Sequence, residues 1–85
     1  MALLTKSQRV FGSELARLTG LDTRLIGAWL LHEMSGPYAQ RREREGNYNW
    51  LNIGYTDAGQ RGTGNAIWRD PISAARATAR WLRGE

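Results

Sequence analysis

A chain of 85 residues allows one domain, spanning 1–85, and a modest core. With no cysteine and one histidine, it excludes a disulfide framework, a thiolate zinc site and a histidine-based metal centre, and no cofactor is expected. Its formal net charge of +4, carried almost wholly by arginine, fits an anionic partner such as nucleic acid, a membrane surface or an anionic cell wall.

The opening segment MALLTKSQRVFG lacks the long apolar run of a signal peptide. No stretch nears the roughly 20 apolar residues that a membrane span needs. Thr5 or Ser7 then caps a first helix running to about Leu18, with Val10, Phe11, Leu15 and Leu18 as its inward stripe. Thr19-Gly20-Leu21 is a helix stop in which Gly20 takes the left-handed conformation and Leu21 folds back on the preceding turn. Asp22 or Thr23 caps a second helix that ends at Gly36-Pro37, with a stripe of Leu25, Ile26, Trp29 and Leu30. Pro37 to Glu45 forms a short third helix. Its mixed run Arg41-Arg42-Glu43-Arg44-Glu45 is most simply a solvated face.

From Gly46 to Arg69 the density of glycine argues for an irregular loop, with a short hairpin around Ile53 to Tyr55. The embedded Tyr48, Trp50, Leu51, Ile53 and Tyr55 favour an ordered, functional loop. Asp70-Pro71 marks a last helix start, with Ile72, Ala75, Ala79 and Leu82 inward. The fold class is mostly α, a small helical domain with a Gly/Asn-rich loop or short hairpin beside the second helix.

One residue interrupts the apolar pattern. Continued by a turn beyond Leu30, the second stripe reaches Glu33. A carboxylate beside Trp29 on a buried face is costly to ionise. Burial there favours the protonated form that a general acid needs near neutral pH. The plainer reading is an edge position whose carboxylate reaches water or an arginine. Downstream, Asn49 and Asn52, with Asn47, carry the paired donors and acceptors that suit hydroxyl and acetamido groups. Tyr48, Trp50 and Tyr55 offer flat apolar faces for sugar rings. The plainer reading of this cluster is a turn-rich loop whose aromatics fill the core. A two-carboxylate glycosidase needs a second acid. Asp57, Glu43 and Glu45 are the candidates, with Asp57 the first choice, although capping of a turn before Ala58-Gly59 accounts for Asp57 more simply. His32 is assigned no role.

Thr19-Gly20-Leu21, Ala28-Trp29, Glu33 and Asn49-Trp50-Leu51-Asn52-Ile53-Gly54 together resemble the lysozyme-like peptidoglycan hydrolases of bacteria and their phages. The resemblance covers about Leu15 to Tyr55 and departs from the family pattern at Trp50, where that pattern usually has proline. It implies a lysozyme-like fold and cleavage of the β-1,4-linked amino-sugar backbone by a hydrolase or a lytic transglycosylase, the latter needing no second carboxylate. Glu33 would be the general acid, with Tyr48, Asn49, Trp50, Asn52 and Tyr55 lining sugar subsites. The partner implied is a peptidoglycan glycan strand, reached by a virion-associated domain or one carried by a larger protein. A monomer, or a part of a longer polypeptide, is expected.

Two other classes compete. Glu14 to Leu30 has the spacing of a helix-turn-helix, with Ala16, Gly20 and Ile26 at its key positions, on a basic chain. Its outward face, Thr23, Arg24, Gly27, Ala28 and Leu31, offers one strong phosphate or base reader, so nucleic acid is not the expected partner. A catalytically silent glycan-binding or assembly module is the third reading.

Overall fold

Three helix starts among the described residues are set by short side chains that satisfy the first free N–H groups. The computed structural model describes residues 4–51, 53 and 69–84. It contains α1 (Lys6–Thr19), α2 (Thr23–Glu33), α3 (Gly36–Arg44) and α4 (Pro71–Leu82). Thr5 caps α1 in a reciprocal box: its hydroxyl accepts from the Gln8 amide at 3.1 Å, and the Gln8 side chain accepts from the Thr5 amide at 3.0 Å. Asp22 caps α2 and also takes the Arg24 guanidinium, and both bonds hold its carboxyl below the usual range. Asp70 caps α4 by accepting from the Ser73 amide and hydroxyl, each at 2.8 Å, and is lowered by them. Gly20 adopts φ 78° and donates to the Ala16 carbonyl, closing α1 as its sequence position predicts.

α1 is the central helix. It packs against α4 on one side and α2 on the other. Small residues permit both approaches. Ala74, Ala75, Ala77 and Ala79 of α4 are buried, and Thr78 turns its hydroxyl back to the Ala74 carbonyl at 2.8 Å. Between α1 and α2, a methyl placed on Gly12 would lie 3.6 Å from Ile26 Cγ2, and one on Gly27 would lie 3.6 Å from Leu4 Cδ1. The large core volumes are Trp50, Phe11, Leu15, Ile26 and Leu30.

Three inward stripes differ from expectation. On α1, Val10 is exposed, and Gln8 is fully buried in its stead. Gln8 Nε2 donates to the Met34 carbonyl at 2.8 Å, bolting the start of α1 to the end of α2. On α2, Leu25 is 59% exposed and the buried line runs Ile26, Leu30 and on to the partly buried Met34. The spacing of four keeps that line on the side that meets α1. On α4, Leu82 is exposed and Ala74 and Ala77 join the core. Among the described residues there is no β-strand, and no helix is long and apolar enough to cross a membrane. All but Ile53 of the expected hairpin lies outside the described residues.

Two stability outcomes follow. Gly27→Ala adds a methyl at ordinary contact distance and removes a helix-interior glycine, so denaturant unfolding should show a gain of about 0.5–1 kcal/mol. Gln8→Ala strands the Met34 carbonyl and the Thr5 amide, and the same measurement should show a loss of about 1–3 kcal/mol.

Candidate functional site

The corner where α2 hands over to α3 holds Glu33, and the cleft beside it holds Glu45. Glu33 is the last residue of α2, and its side chain is exposed. The expectation of a carboxyl buried against Trp29 is therefore corrected. Met34, one position on, occupies the buried line that Glu33 was expected to continue, while the Trp29 ring is partly buried against the core. A cleft of 250 Å³ opens at Met34 and continues along α3 past Tyr38, Arg41, Arg42 and Glu45. Tyr38 stands 74% exposed, so its ring is available to a ligand. Sequence reasoning passed over it, although an aromatic right after Gly36-Pro37, on a helix otherwise polar, was the signal.

Two of the three carboxylates considered as a second acid are described. Glu45 lines the cleft and holds Arg41 at 3.3 Å. Glu43 is turned away to accept from the Thr5 hydroxyl at 2.6 Å, tying α3 to the cap of α1. Asp57 lies outside the described residues, as do Asn52 and Tyr55.

The segment after α3 is fixed by asparagines. Asn47 Oδ1 accepts from the Asn49 amide at 3.0 Å, and Asn47 itself donates its amide to the Arg42 carbonyl. Asn49 is buried. Its Nδ2 donates to the Ile53 carbonyl at 2.9 Å, and its Oδ1 accepts from the Ile53 amide at 3.1 Å. Arg42 Nη1 donates to the Asn49 carbonyl at 3.0 Å, so the loop and the cleft share that guanidinium. Between these anchors Trp50 is driven fully into the core, edge-on to Phe11 and Tyr48 with ring centroids 5.4 Å away in both pairs. Its indole N–H is buried, with no hydrogen-bond partner among the described residues.

Asn49 and Trp50 thus serve the loop's own architecture here, and neither presents a free face to a sugar. Tyr48 is partly buried against Trp50. The cleft is lined by Met34, Tyr38, Arg41, Arg42 and Glu45, and Glu33 precedes its Met34 end by one residue. Among the described residues there is no group of three His, Cys, Asp or Glu able to hold a metal ion. No protein-family model, no curated protein and no solved structure matches this chain.

Replacing Asn49 with alanine leaves the Ile53 amide and carbonyl unpaired in the core. Equilibrium unfolding should report a loss of about 2–3 kcal/mol. With the other three tryptophans replaced by phenylalanine, Trp50 fluorescence should shift to the red well before the helices melt by circular dichroism.

Proposed function

We propose that this domain cleaves the β-1,4-linked amino-sugar backbone of peptidoglycan, with Glu33 as the general acid that protonates the leaving-group oxygen. The observation that carries this reading is the placement of Glu33. It ends a rigid helix with its carboxyl exposed, and a cleft lined by tyrosine, arginines and a carboxylate opens at the very next residue. The resemblance of Glu33 and the Asn49 to Gly54 stretch to lysozyme-like hydrolases points to the same group.

Because Glu33 is exposed at the end of α2, a glycan lying over the corner can meet its carboxyl directly. Tyr38 stacks on a sugar ring. Arg41 meets the carboxylates that peptidoglycan carries, giving up its bond to Glu45 as it does so. Glu45, on the cleft wall, is the described carboxylate best placed to serve as the second group. A transglycosylase mechanism needs none, because the substrate's own hydroxyl attacks.

The helix-turn-helix alternative is less well served. Arg24 on α2 is folded onto Asp22, with bonds of 3.2 and 2.9 Å, and Leu25, Ala28 and Leu31 are the exposed neighbours it leaves.

The test is clearing of purified cell walls. Glu33→Gln should lower the rate by about 10²-fold or more while leaving the melting transition in place. Full clearing by Glu33→Gln would remove Glu33 from the chemistry. Mass spectrometry of the wild-type products then separates the two mechanisms, since an anhydro end marks transglycosylation and a reducing end marks hydrolysis.

A further inference from the structure

The opposite flank of α1 carries a second feature that the cleft does not use. Lys6, Arg9, Ser13 and Arg17 follow one another at spacings of three, four and four, which sets them in a single row about 16 Å long. The row borders a groove of 580 Å³ between α1 and the first turn of α4. Val10, 39% exposed, and Ile72 supply apolar surface to it. From α4, Arg76 reaches toward the same groove, its Nε 3.9 Å from Glu14 Oε2.

Glu14 is the one acid among these groups, and it is already engaged. Its side chain is 13% exposed and accepts from Arg17 at 2.9 and 2.6 Å. Arg17's hydrogen bond, then the charges of Arg17 and Arg76, hold its carboxyl below the usual range. Lys6 and Arg9 remain exposed at the end of the row, with Arg9 steadied by a 2.9 Å bond to the Leu4 carbonyl.

A recess lined by three cations, one paired acid and an apolar surface, with Arg76 beside that acid, selects a polyanion. The lining residues indicate which kind. Among the described residues there is no aromatic ring in the groove for a base to stack on, and no asparagine or glutamine to read one. Val10 and Ile72 suit the methylene carbons of a flexible linker between phosphates. We propose that this groove binds a flexible phosphodiester polymer of polyol units, as found alongside peptidoglycan in cell envelopes, and so holds the domain on the wall. The choice of an envelope polymer rests on the proposed peptidoglycan activity.

The test is fluorescence anisotropy with a labelled poly(glycerol phosphate) oligomer and the whole chain. Binding should fall at least about 10-fold in Lys6→Gln/Arg9→Gln, two exposed positions whose change leaves the melting transition in place. Arg24→Gln/Arg44→Gln removes the same charge elsewhere and should leave binding intact. The logarithm of affinity should fall against the logarithm of salt with a slope of about −2, as for three phosphates contacted on a flexible strand. An oligothymidylate with the same number of phosphates should bind at least tenfold more weakly. No binding of the oligomer at low salt, equal loss in both double variants, or thymidylate binding as tight as the polyol phosphate would each overturn the proposal. No bond is cleaved in this assay, so the behaviour of Glu33→Gln on cell walls bears on the catalytic reading alone.

Discussion

The fold depends on Trp50 being held in the core by a loop. α1 and α2 fill the interior with Phe11, Leu15, Ile26 and Leu30, while α4 brings mainly alanines to it. The largest buried side chain comes from the segment after α3, where Trp50 meets both Phe11 and Tyr48 edge-on. A tryptophan on a loop stays buried only if the loop is rigid. Asn49 provides that rigidity by closing both backbone groups of Ile53 around the turn. The indole N–H, buried with no partner among the described residues, is a cost that burial of the ring outweighs.

The same dependence couples the core to the candidate site. Arg42 lines the cleft and also donates to the Asn49 carbonyl, and Gln8 joins the first turn of α1 to Met34, the residue after Glu33. Glu33 is thus exposed on a mount that is itself well anchored. A proton donor needs that combination, since its carboxyl must reach a substrate while its backbone stays fixed.

What the sequence made legible was local. Thr5, Asp22 and Asp70 cap their helices because the N–H they satisfy lies two or three residues ahead, and Gly20 ends α1 by its own backbone freedom. What it hid was decided at a distance. α2 is apolar around much of its circumference, so its periodicity did not say whether Leu25 or Met34 would be covered. The position of α1 settles it. Gln8 is buried because of a carbonyl 26 residues away. Asn49 and Trp50 had the residue types of a sugar site, yet those types also build a turn and a core, and only Ile53 and Phe11 tell the two apart. Glu33 was legible as an acid at a helix end, and its exposure was not. Asn52, Tyr55 and Asp57 fall outside the described residues.

The pairing of α1 with α4 has a consequence for how the chain is made. α1 and α2 leave the ribosome as neighbours and can meet at once, but the other flank of α1 waits until α4 has been synthesised. During that interval the nascent chain shows bare apolar surface and cannot reach its final free energy, because its most extensive helix contact is also the one most separated along the chain. A cut that removes α4 would bare the same flank of α1 for good and leave a product suited to a chaperone or a protease.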